Sequence, residues 1–153
     1  MAVGEASTLV ARPAADILDF ILDVEAYRVV DPRLRTIKWV RRTPGETVFR
    51  FRPTLMGLPG PMTTQRVTRT SDSRVDITPM PSAMNGLADF AGLLECTAEG
   101  GVTRVRRRLE FRFPRPLSWL LDPPLTRWLA TDVPAELARL KAHLERPAAA
   151  EPM

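Results

Sequence analysis

The feature that most constrains this chain is its last long apolar stripe, Leu125, Leu129, Val133, Leu137, Leu140 and Leu144. Steps of four, four, four, three and four put all six side chains on one helical face. The stripe follows roughly 70 residues that read mostly as strands. A one-faced helix after a run of strands must be covered, and the sheet before it is the natural cover. The pairing encloses either a solid core or a cavity.

A chain of 153 residues predicts one domain with a real core, placed at 1–146, and a loose tail at 147–153. The single cysteine, Cys96, rules out an internal disulfide and fits a reducing cytoplasm. No apolar run approaches the roughly 18 residues needed to span a bilayer, and no secretory signal opens the chain. One histidine and one cysteine argue against zinc, and no calcium-loop or Gly-rich phosphate pattern occurs, so neither metal nor cofactor is expected. Net charge is +4, and all but Lys38 and Lys141 of the 22 basic residues are arginine, a bias that suggests a GC-rich bacterial genome. The 18 acidic residues share the same segments, which argues against a nucleic-acid stripe.

Along the chain, Val3 to Ala11 reads as a strand, Ala14 to Asp23 as a short helix after Pro13, and Val24 to Val30 as a second, stopped by Asp31-Pro32. Three hairpins follow. Leu34 to Arg42 and Glu46 to Leu55 flank Pro44-Gly45, Met62 to Thr70 and Ser73 to Met80 flank Ser71-Asp72, and Leu87 to Glu99 and Val102 to Phe113 flank Gly100-Gly101. Pro124 is read as opening the long helix, after a preliminary turn at Leu117 to Leu121. Two apolar loops, Pro53 to Pro61 and Met80 to Leu87, either fold back on the core or serve a ligand or partner.

This order resembles the START-like (SRPBCC) superfamily of the polyketide cyclase/dehydrase and lipid transport type. The matching segments are Ala11-Arg12-Pro13 with the acidic, apolar helix to Asp23, Asp23-Val24-Glu25-Ala26-Tyr27, and the helix from Arg127-Trp128-Leu129 to Glu145. The resemblance implies an α+β helix-grip fold, with a seven-stranded antiparallel sheet curled around a long C-terminal helix and two short helices after strand 1. It implies a ligand between helix and sheet. Members include polyketide cyclases, lipid carriers and chaperone activators.

The Gly100-Gly101 turn predicts a register in which Leu94 faces Arg107, Gly92 faces Leu109 and Phe90 faces Phe111 on the helix side. Arg107 is the exception on that apolar face. It binds a ligand carboxylate, phosphate or carbonyl, joins a structural ion pair, or is turned outward by a bulge. Phe49 and Phe51 share one strand face and Tyr27 offers a hydroxyl at a cavity end; core packing is the alternative for each. Trp39 is placed opposite Arg50 as a surface cation–π pair. Arg66 falls on the face shared with Val75 and Ile77 if Ser71-Asp72 is the loop. Leu129 and Val133 complete the candidate ligand-binding set; no catalytic residue is assigned. The reading is binding of a small hydrophobic ligand (lipid, polyketide or isoprenoid-like), with a polyketide cyclase or dehydratase and a protein-interaction or stress-related module as alternatives. Neither nucleic acid nor stable membrane insertion is expected, and oligomeric state is left open.

Overall fold

In the computed structural model, residues 1–34, 36–60, 62–80 and 89–146 are described. The 147–153 tail and most of the Met80 to Leu87 loop lie outside them. The first strand, β1 (Ala2–Val10), leads through Pro13 into α1 (Ala14–Leu22) and α2 (Val24–Tyr27), and a short 3-10 turn covers Pro32–Leu34. Then come β2 (Thr36–Thr43), β3 (Glu46–Arg52), a small hairpin of β4 (Thr54–Leu55) and β5 (Leu58–Pro59), β6 (Thr63–Ser71), β7 (Arg74–Pro79), β8 (Asp89–Glu99), β9 (Val102–Arg112) and α3 (Leu117–Leu144). Seven strands form one antiparallel sheet in the order β1-β9-β8-β7-β6-β3-β2. With α3 packed along it and two short helices after β1, this is a helix-grip-like α+β fold.

The β8–β9 register is the expected one, with Leu94 opposite Arg107 and Phe90 opposite Phe111. In β2–β3, Val40 meets Phe49 and Trp39 meets Arg50. The cation over Trp39 is instead Arg41, 5.7 Å from the ring centroid, while Arg50 donates to Thr64 Oγ1 at 3.0 Å. The β6–β7 hairpin corrects the sequence reading. Ser71 pairs with Arg74 and the ladder slips between Arg69 and Ser71, so Val67 meets Ile77 and Arg66 meets Thr78. One extra residue in a strand exchanges its two faces. Gln65 and Val67 are therefore buried, and Arg66 is 43% exposed in an ion pair with Glu46 at 3.0 Å.

The long helix also starts earlier than Pro124. Pro123 and Pro124 lie inside α3. The carbonyls they leave without helical donors belong to Trp119 and Leu120, residues 70% and 71% exposed, so solvent has access there. The stripe then packs as its spacing requires: Leu125, Leu129, Val133, Leu137 and Leu140 are all buried. Leu129 and Val133 press on β1 at Gly4, where an added Cβ would stand 2.7 Å from Leu129 Cβ and 2.9 Å from Val133 Cγ2. A side chain there would hold the helix away from the sheet.

Candidate functional site

The core is two apolar clusters. One gathers Val10, Ile17, Leu18, Ile21, Val105, Leu137 and Leu140; the other gathers Ala2, Leu109, Phe111, Leu125, Leu129 and Val133. Between them lies a buried ionic layer. On α3, Glu136 falls between Val133 and Leu137; on β9, Arg107 falls between Val105 and Leu109. Both are buried, and Arg107 Nε donates to Glu136 Oε2 at 3.0 Å. Arg107 Nη1 also donates to the Leu93 carbonyl at 3.4 Å. A Cβ at Gly92 would crowd Leu109 Cδ2 at 3.0 Å and the Arg108 carbonyl at 3.2 Å, and would meet Arg107 Nη1 only at an ordinary contact distance of 3.5 Å.

The layer is completed from the segment after α2. Tyr27 donates its hydroxyl to Glu136 Oε2, and Arg33 donates to Glu136 Oε1. Arg33 Nε also binds Asp31 Oδ1 at 2.9 Å, and its Nη1 stands 3.1 Å from Asp132 Oδ2. Two guanidinium groups thus face three carboxylates, and Arg139 adjoins them through a 2.7 Å bond to the Val30 carbonyl. A buried charge survives only when partners replace its lost hydration. Burial pushes the Tyr27 phenol up to about 12 and draws the Arg107 guanidinium below its ordinary value. Burial also raises the carboxyl of Asp132.

Beside this layer is a cavity of about 390 Å³. Its wall is mainly apolar: Phe49 and Phe51 from β3, Val67 from β6, Ile77 from β7, Phe90 and Phe111 from β8 and β9, and Leu125 from α3. Phe49 and Phe51 lie 4.8 Å apart between centroids, as do Phe90 and Phe111. Tyr27, Asp31, Arg33, Gln65 and Arg107 supply polar wall. The β4–β5 hairpin contributes Leu55, Leu58 and Pro59, so the apolar 53–60 segment folds over the cavity. Leu58 and Pro59 are also exposed, which places the mouth there.

Of the expected ligand-contacting set, Arg107, Phe90, Phe111, Phe49, Phe51 and Tyr27 line this space. Arg66 does not, because the β6 bulge turns it outward. Leu129 and Val133 do not either, because they are spent against β1 at Gly4. His143 stacks on Phe20 at 4.9 Å between centroids, a packing role. Among the described residues no group of His, Cys, Asp and Glu could hold a metal ion.

Sequence reading missed Glu136, Asp132, Asp31 and Arg33. A signal for two of them existed: Glu136 is seven residues after Leu129, and Asp132 seven after Leu125, so both fall on or beside the apolar stripe. The β6 bulge brings Gln65 to the inward face together with Val67. The Gln65 side chain is buried, and among the described residues its Oε1 has no hydrogen-bond partner.

A helix gripped by an antiparallel sheet, with an apolar cavity between sheet, short helices and the start of the long helix, defines a class of small-molecule-binding folds. The chain belongs to the polyketide cyclase/dehydrase and lipid transport family, whose model matches residues 1–145. Among solved structures it is similar to the Zhui aromatase/cyclase of a Streptomyces species, at 15% identity and TM-score 0.73, covering 98% of both chains. It is also similar to a protein from Thermus thermophilus, at 18% identity and TM-score 0.71, covering 97% of this chain and 99% of that one. A START superfamily protein from Mycobacterium smegmatis matches at 18% identity and TM-score 0.68, covering 95% and 98%. No curated protein matches the sequence. At these identities the likeness to solved structures carries the fold alone.

Proposed function

We propose that this protein binds a small hydrophobic ligand of lipid, polyketide or isoprenoid type in the cavity. The observation that carries this reading is a space of about 390 Å³ with a mainly apolar wall and a few polar groups beside it. Small-molecule sites of roughly 300–1,000 Å³ have this composition. Arg33 and Arg107 already have carboxylate partners inside the protein, so a ligand carboxylate would have to displace Glu136. Gln65 instead offers a neutral amide whose carbonyl lacks a partner among the described residues. The reading therefore favours a ligand with a neutral, hydrogen-bonding head.

A polyketide cyclase or dehydratase is the second reading. It is favoured by the family's description and by likeness to an aromatase/cyclase. Ring closure and loss of water need a positioned acid or base and an oxyanion stabiliser. Against it stands the commitment of Tyr27, Arg33 and Arg107 to Glu136. The deciding experiment is displacement of an environment-sensitive aromatic probe by long-chain alcohols, acids and alkanes. Alcohols should compete best, and Ile77→Trp, which fills the cavity, should abolish uptake. Unchanged uptake in a folded Ile77→Trp variant would refute binding at this site. Steady turnover of a poly-β-ketone substrate would move the reading to the enzyme.

A further inference from the structure

We propose that the rim of the cavity mouth docks on an anionic lipid surface, from which the hydrophobic ligand enters. The ligand-binding reading supplies the cargo; the docking surface is read from the outside of the molecule. Four large apolar side chains stand in solvent here: Leu58 at 67%, Trp119 at 70%, Leu120 at 71% and Leu117 at 36% exposure. Scattered exposed apolar residues are ordinary, but here two of the four stand at the cavity, and Trp119 and Leu120 follow Leu117 by two and three residues on α3. Leu58 and Leu117 belong to the cavity wall itself. Leu117, Leu120 and Leu121 are three and four positions apart on α3, hence on one face. An amphiphile leaving a bilayer at this rim would meet apolar surface all the way into the cavity.

Charge selects the partner. The two segments forming the rim, 52–60 and 112–127, carry Arg52, Arg112, Arg115 and Arg127, all exposed. Their one acidic residue, Asp122, is occupied by the Met1 amino group. Among the described residues, Arg52, Arg115 and Arg127 have no carboxylate partner; Asp89 is opposite Arg112 in the β8–β9 ladder. The contrast with the outer face of β9 is plain. There Arg104 binds Glu99, Arg106 and Arg108 bind Glu5, and Arg108 also reaches Glu110 at 3.0 Å. Arg115 lies over Trp119 at 5.8 Å, which sets a cation and an indole side by side. Indole rings favour the headgroup level of a bilayer, and unpaired arginines favour anionic headgroups. The surface lies on a membrane rather than in it, since no helix among the described residues is long and apolar enough to cross one.

The test is co-sedimentation of the full chain with phosphatidylcholine vesicles with and without phosphatidylglycerol, at low and high salt. Wild type should partition onto the phosphatidylglycerol vesicles at least tenfold better, and salt should reverse this. Trp119→Ser/Leu120→Ser should lower partitioning at least tenfold, and Arg115→Glu/Arg127→Glu should do so only on anionic vesicles. All four positions are exposed, and circular dichroism checks that the variants stay folded. Absence of wild-type binding at low salt would overturn the proposal, as would equal binding by the Trp119/Leu120 variant. A Trp119-dependent dimer without vesicle binding would also overturn it and reassign the rim to self-association. Probe uptake measured on the same samples keeps failure of docking distinct from failure of ligand binding.

Discussion

Replacing Arg107 by methionine separates a structural arginine from a ligand-binding one. Its Nε holds Glu136 Oε2 at 3.0 Å, with Arg107 only 2% exposed and Glu136 wholly buried. Removing one partner of a buried pair costs about 3–5 kcal/mol, chiefly because the other charge stays buried. Glu136 keeps Arg33 and Tyr27, which places the cost near the lower end, at about 3 kcal/mol. Against a total stability of about 5–15 kcal/mol this is a large share. Glu136→Gln alone should cost a similar amount, since it leaves Arg107 and Arg33 facing a neutral amide. The double variant should cost less than the sum by about 2 kcal/mol, because Arg33 retains Asp31 and Asp132. Urea denaturation followed by circular dichroism measures all three, with an unchanged slope as the check that the unfolded state is the same. A single-variant loss under about 1 kcal/mol would refute the reasoning and free Arg107 for a ligand anion. Any loss of ligand binding in an Arg107 variant must be read after this stability change.

Gly4→Ala should destabilise by about 1–2 kcal/mol. Overpacking against Leu129 and Val133 costs about 1–3 kcal/mol, and the lost glycine flexibility returns about 0.5–1 kcal/mol; a variant as stable as wild type would refute direct helix–strand contact. Tyr27 is the chain's one tyrosine, so phenolate absorbance reports it alone. With the ordinary value at 10.0 and the folded one at about 12, its contribution is fully present below pH 10 and lost as pH rises toward 12. That is about 3 kcal/mol by proton linkage. A folded-state midpoint near 10 would place the hydroxyl in water.

The parts legible from sequence were those set by local rules. Two glycines at 100 and 101, both with positive φ, fix the β8–β9 register without help from the rest of the chain. The α3 stripe likewise announces its buried face. Arg66 could not be placed, because the β6 irregularity arises within a Thr-, Arg- and Ser-rich strand whose two faces look alike in sequence. The ionic layer was hidden for a different reason. Glu136 alone reads as a surface residue of a helix, and its partners Tyr27, Arg33 and Arg107 lie 109, 103 and 29 residues away. Each is unremarkable until the fold brings them together. The cavity depends on how the 53–60 segment folds over it, which no periodicity encodes.

The place of β1 has a consequence for how the protein is made. Among the described residues its only neighbour in the sheet is β9, and the helix lying across it is α3. β1 therefore leaves a ribosome well before β9 and α3, and waits for both before it can pair. Until then its edge is bare and the opposite sheet margin, β2 and β3, forms first. Such late closure slows folding and extends the interval in which a nascent chain can stick to its neighbours. Synthesis of this protein should thus depend on chaperone occupancy more than its small size suggests, and β1 is the segment a holdase would be expected to cover.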